Sequence, residues 1–245
     1  MDRKQRFLLI GILALGLFLR IGLMPLTFHH DMVFLGYSAG HLAHGETEVF
    51  SSYWQKYNPF PGSTATYPPL FFITTAAFRV LENHFSPELD NWLEKCWIKY
   101  RADNGGQAGN AVARSYFDSP GEDLLFRNLF LLKSHFLLFD ALIAALLFLL
   151  ISDPKKRLAA LGLWAFNPFA LITAYSHGQH DLIITSLLTA ALFLAWRGRP
   201  GPALSALCLG FMIKILPIMF IPPLALYFSR GSFKRLLHLS LWAIA

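Results

Sequence analysis

The chain has 245 residues, of which 55% are hydrophobic and only 15% charged, whereas a soluble protein carries about 25% charged residues. A formal net charge of +6 would suit a nucleic-acid binder, but the basic residues fall in short clusters between apolar runs. Arg3-Lys4-Arg6, Lys155-Lys156-Arg157, Arg197 with Arg199, and Arg230 with Lys234-Arg235 form the positive-inside pattern of cytoplasmic loops, which argues against nucleic acid and for a polytopic membrane protein.

The first apolar run, Phe7 to Leu26, is long enough to cross the ~30 Å hydrocarbon core. It follows a basic N-terminus, has no small-residue cleavage site, and reads as a retained signal anchor. Arg20 lies near its outer end. His29-His30-Asp31 follows directly. The segment 27–123 holds eleven of the fifteen acidic residues and is expected to be a long external loop. It is rich in aromatic, Pro and Gly residues, as in Asn58-Pro59-Phe60-Pro61-Gly62 and Tyr67-Pro68-Pro69. Leu70 to Leu81 is too short to span and is expected to be an interfacial or re-entrant helix. Asn83 to Trp97 is expected to be a second amphipathic surface helix, and Asp103 to Gly109 a connector.

A second span is expected over Leu124 to Ile151, with Arg127, Lys133, His135 and Asp140 in its outer half. The third, Leu158 to Tyr175, contains Asn167-Pro168, a kink signal. It emerges at Tyr175-Ser176-His177-Gly178-Gln179-His180-Asp181. The fourth, Leu182 to Trp196, returns to Arg197. Pro202 to Phe228 starts and ends at basic clusters and is interrupted by Pro217, Pro222 and Pro223, which predicts a broken hairpin with Lys214 inside it. The run Leu236 to Ala245 is about half a span, so the sequence is expected to be part of a longer protein with its C-terminal part beyond it. Cys96 and Cys208 have neither pairing nor metal-ligand spacing.

Charged and imidazole side chains at membrane depth are costly and functionally biased. His29-His30-Asp31 and the His177 to Asp181 turn are expected at the same depth. Asp31 is a candidate general base, with His30 and His29 orienting it; the alternative is an ordinary helix-end aspartate in water. His177, Gln179, His180 and Asp181 suit a phosphate through imidazole and amide donors. With His29, His30 and Asp31 they would also allow a divalent metal, although there is no His-Glu-x-x-His motif; the plainer alternative is a polar turn. Lys214 needs a partner, and a lipid phosphate or snorkelling to the interface would satisfy it. Asp140 has Arg127, Lys133 and Arg20 as candidate partners and reads as structural.

The order of these features resembles the GT-C superfamily of integral membrane glycosyltransferases. It runs from an acidic residue after the first span through Tyr67-Pro68-Pro69-Leu70, Asp140, Asn167-Pro168 and Gly178-Gln179-His180-Asp181. Arg197-Gly198-Arg199-Pro200 and Ile213-Lys214-Ile215-Leu216-Pro217 complete it. The bacterial relatives of lipid-linked-oligosaccharide glucosyltransferases and polyprenyl-phosphate-dependent mannosyltransferases are the nearest match.

The resemblance implies an all-α GT-C-like transmembrane helix bundle, residues 1–245 as one module, and transfer of mannose or glucose from a polyprenyl-phosphate donor. The acceptor would be a lipid-linked glycan or other hydroxyl at the external face. It implies Asp31 as the base, Lys214 and His177 to Asp181 at the donor phosphate, Tyr67 and His29 near the acceptor or loop, and no cofactor. Many relatives have Trp-Gly-Gln where this chain has His177-Gly178-Gln179. The expected location is the plasma membrane of a prokaryote, with the N-terminus cytoplasmic. The competing reading is a transporter or flippase for a lipid-linked anion, and a metallohydrolase is a third.

Overall fold

A computed structural model describes residues 2–27, 29–46, 67–104 and 125–244, with the side chains at 30, 31, 33, 34, 97–104 and 242–244 outside that description. The expectations for Asn58 to Gly62, and for most of the Asp103 to Gly109 connector, lie outside it. The described residues are helical, with no strand among them. In chain order the helices are α1 (Arg3–Leu23), α2 (His30–Ala43), α3 (Pro69–Phe85), α4 (Leu89–Asn104), α5 (Leu125–Ser134), α6 (Phe136–Leu150) and α7 (Pro154–Ala165). Then come a single turn, α8 (Pro168–Ala170), continued by a π-helix over Leu171–Ser176, α9 (Asp181–Trp196) and α10 (Pro200–Phe211). A 3₁₀ segment, Leu216–Phe220, leads into α11 (Ile221–Ser229) and α12 (Phe233–Ile244). Among the described residues, three helical stretches are long and apolar enough to cross a membrane: Arg3–Leu23, Leu125–Leu150 and Pro154–Ser176.

Local chemistry sets the boundaries. Prolines open α3, α7, α8 and α10 in the first turn, where a missing N–H costs nothing. Asp153 caps α7 by accepting the Lys156 N–H at 2.8 Å, and that bond holds its carboxyl below the usual range. Asn167 caps the restart at Pro168, accepting the Phe169 N–H at 3.0 Å. The kink expected there is therefore an end and a new start.

Three boundaries differ from the sequence expectation. The short helix expected over Leu70–Leu81 runs on to Phe85, because Glu82 pairs with Arg79 and is buried as part of that helix. The second surface helix does not begin at Asn83 but at Leu89, since Ser86 sits at φ −143°, ψ 85° before Pro87, which disfavours the helical conformation in the residue it follows. The second span is interrupted at His135. α9 has 16 residues, about 24 Å at 1.5 Å per residue, short of the ~30 Å core.

The helices form two compact units. In the first (1–21, 136–174, 180–245), α9 and α10 pair as a hairpin, and Ala191, Leu204, Leu207, Ala225 and Leu239 fill a core with the 3₁₀ segment's surroundings. α1 runs parallel to α7, with Ile12 near Gly162 and Gly16 against Ala165. A Cβ on Gly16 would lie 2.9 Å from that of Ala165, so only glycine permits the approach.

Beside Gly16, Arg20 is almost fully buried and ion-paired with Asp140 of α6. Its guanidinium also donates to the carbonyls of Ala165 at 2.6 Å, Gly16 at 3.0 Å and Trp164 at 3.2 Å. The Trp164 indole donates to Asp140 at 2.6 Å. Of the three partners open to Asp140 in the sequence, Arg20 is the one it takes.

In the second unit (22–135, 175–179), α2 packs on α3 and α4. Gly36 and Gly40, one turn apart on α2, leave room for charged side chains: a Cβ on them would meet the Arg79 guanidinium and the Asp90 carboxylate, each at 2.9 Å. Arg79 pairs with Glu82 at 2.9 Å and lies 3.7 Å from Asp90. His135 contacts Glu82 at 3.1 Å and stacks on Phe78.

Breaking a buried pair by removing one partner costs about 3–5 kcal/mol, whereas replacing both with apolar residues is often neutral. Asp140→Ala should therefore lower the thermal midpoint in detergent steeply. Arg20→Met combined with Asp140→Leu should recover most of the loss; a double variant no better than Asp140→Ala would show that the pair is not what joins α1 to α6.

Candidate functional site

Two polar stretches that are about 150 residues apart in the chain meet in the second unit. The His29 N–H donates to the His177 carbonyl at 2.9 Å. The Thr27 hydroxyl donates to the Ser176 carbonyl at 2.8 Å and lies 2.6 Å from the Ser176 hydroxyl. The His29 and His177 rings sit 6.2 Å apart, tilted by 44°. Gly178 has φ +79° and lies against Met32, with which a Cβ would collide. Glycine is required there on both counts.

The fastener is Lys133, on α5. Its ammonium donates to the carbonyls of Thr27, of Tyr175 at 3.0 Å and of Ser176 at 2.7 Å. The side chain is fully buried, with no carboxylate paired to it among the described residues. An ammonium has three hydrogens to donate, and these three carbonyls occupy them. The π-helix over Leu171–Ser176 turns the Tyr175 and Ser176 carbonyls towards the lysine, since the wider turn frees them from regular helical bonding. Sequence reading placed Lys133 only as a possible partner of Asp140; its actual role is to hold the two turns together.

His30 and Asp31 form the first turn of α2, a helix that the sequence reading did not anticipate. His177 is exposed, and Gln179 is half-buried at the end of the turn. Tyr67 sits just before α3, with its ring 4.5 Å from that of Phe71.

The remaining predicted residues belong to the first unit. His180 is buried at the start of α9, edge-on to Phe136 at 5.2 Å between ring centroids. Asp181 occupies the first turn of α9, and its carboxylate is 2.6 Å from the Lys214 ammonium. Lys214 lies in the break between α10 and the 3₁₀ segment, its N–H bonded to the Gly210 carbonyl at 2.9 Å. Both side chains are about one-third exposed, at 36% and 35%. The partner that Lys214 needed is thus a carboxylate from the same polar stretch. Among the described residues no three His, Cys, Asp or Glu side chains approach closely enough to hold a metal ion.

Sequence reasoning missed the Arg79–Glu82–Asp90–His135 cluster. The available signal was the pair Gly36 and Gly40, a small-residue face at i, i+4 spacing.

Lys133→Met should leave buried carbonyls without a donor, at about 1–3 kcal/mol for an unsatisfied group. Hydrogen exchange should rise at residues 175–179 and 29–32 before it rises in α9. Uniform loss of protection across both units would contradict a local fastening role.

Comparison of the chain with protein families, with curated proteins and with solved structures finds no match.

Proposed function

We propose that this chain is an integral membrane glycosyltransferase that moves mannose or glucose from a polyprenyl-phosphate donor to a hydroxyl acceptor. The observation that carries the reading is the convergence of Thr27 and His29, just before His30-Asp31, with the Tyr175–Gln179 turn, fixed by buried Lys133. The order of motifs that resembles the GT-C superfamily supports it independently. The three apolar stretches supply the setting a lipid donor needs. By the positive-inside pattern, the N-terminus is cytoplasmic and both turns face outside.

Asp31 takes the proton from the acceptor hydroxyl as its oxygen attacks the anomeric carbon. The anomeric C–O bond to phosphate breaks, and the polyprenyl phosphate leaves with the electron pair. Charge grows on the phosphate oxygens, where donors held in advance are most effective. His177, Gln179, His180 and Lys214 are assigned to that role, and His30 to orienting Asp31. Lys214 brings its own carboxylate, Asp181, so a phosphate shares the ammonium with it or displaces it. The acceptor is a lipid-linked glycan or another hydroxyl compound, with His29 and Tyr67 assigned near it. The helix break at Lys214 is the feature that would suit a carrier for a lipid-linked anion instead.

Single-turnover transfer from radiolabelled polyprenyl-phosphate mannose and glucose, in reconstituted membranes with hydroxyl acceptors supplied, tests the reading. Wild type should transfer one of the two sugars. Asp31→Asn should lose transfer by roughly 100-fold or more while still binding donor. No transfer of either sugar by wild type would overturn the reading in favour of a carrier.

A further inference from the structure

The first unit contains a groove of about 580 Å³ between α1, α6 and α7. Leu9, Leu13 and Leu17 form one wall, and Ala141 and Ala145, one turn apart on α6, form the floor. At one end it is closed by the Arg20–Asp140–Trp164 knot, whose charges are already matched to each other. At the other, Phe148 lies beneath the Arg157 guanidinium, 4.2 Å from its ring centroid.

The two ends differ sharply in charge. α1 and α7 run parallel, and α6 runs opposite to them, with Asp140 at the knot and Phe148 under Arg157. The starts of α1 and α7 and the finish of α6 therefore share an end. Six cations gather there, Arg3, Lys4, Arg6, Lys155, Lys156 and Arg157, against two carboxylates, Asp2 and Asp153. Length agrees with one leaflet. From Leu9 to Arg20 is about 16 Å along α1, and from Lys155 to Trp164 about 14 Å along α7, at 1.5 Å per residue. Half of a ~30 Å hydrocarbon core is about 15 Å.

We infer that this groove binds one acyl chain of an anionic phospholipid, with its headgroup at the basic end, against Arg157 over the groove's Phe148 and in the field of Lys155 and Lys156 beside it, Lys155 lining the adjoining face of α7. An apolar slot one leaflet deep takes the chain, and the basic rim selects the headgroup. The matched pair at the closed end leaves no free charge there to hold a phosphate. The site would belong to the leaflet on the basic side. It needs only that the helices lie in a bilayer and is independent of sugar transfer.

The test is lipid retention by the whole purified chain, offered phosphatidylglycerol and phosphatidylcholine of identical chains in mixed micelles and read by native mass spectrometry. Wild type should retain phosphatidylglycerol in preference. Ala145→Phe fills the groove and should lose one bound phosphatidylglycerol with helicity unchanged. Lys155→Gln with Lys156→Gln, both at exposed positions, should leave the fold intact and cut the preference by roughly five-fold or more per lysine. Equal retention of the two lipids by wild type would overturn the inference. So would undiminished phosphatidylglycerol in a folded Ala145→Phe protein. A doubled mass in wild type that Ala145→Phe abolishes would assign the groove to a second copy of the chain instead. None of these readouts involves a sugar donor, so failure here and failure of the transferase reading are separable.

Discussion

A charge removed from water has to be answered inside the protein, and this chain meets that constraint three ways. Arg20 has a full counter-charge in Asp140, and three carbonyls satisfy the rest of its donors. Arg79 lies in a cluster with two carboxylates, in space that two glycines leave open. Lys133 is held by carbonyl dipoles alone among the described residues. Each solution joins segments far apart in sequence, so the polar groups specify which apolar helices become neighbours. Leucine against leucine gives little such specificity in a lipid setting, where the tails are equally apolar.

The buried and half-buried charges also divide the labour. The Arg20 knot is saturated and acts as a fixed joint in its unit. Lys133 fixes backbone and leaves the His177 side chain exposed. The Lys214–Asp181 pair is only partly buried, so a competing anion pays less to reach it than it would to enter either buried site. A pair of this kind is worth little to stability in the presence of water and salt.

Hydropathy made the long helices legible. α1, the Leu125–Leu150 stretch and α9 lie close to where the apolar runs put them. The broken hairpin followed from its prolines and from having basic clusters at both ends. α2 was not legible, because Gly36, Ser38 and Gly40 dilute its apolar period while providing its packing face. The interruption at His135 has no proline or glycine to announce it. Nor does spacing within one helix reveal a partner on another. Asp140 had three candidates, and the one it takes is 120 residues away. For the site, the two polar stretches were visible as chemistry, and they meet around Thr27 and Ser176. The lysine that fastens them was not visible as such, because carbonyl acceptors leave no mark in a sequence.

The Arg20–Asp140 knot has a consequence for how the chain is made. In a bilayer, an arginine at the centre of a lone helix adds about 2.5–3.5 kcal/mol to its insertion, and one in the last turn, where Arg20 lies, adds less because it reaches the interface. α1 is synthesised first, and its counter-ion follows 120 residues later, about 6 to 24 seconds at 5–20 residues per second. During that interval the guanidinium lacks its counter-ion and has the Gly16 carbonyl of its own helix and the nearby interface to answer it. The joint between α1 and α6 is therefore a late step of assembly, closed only when Asp140 arrives.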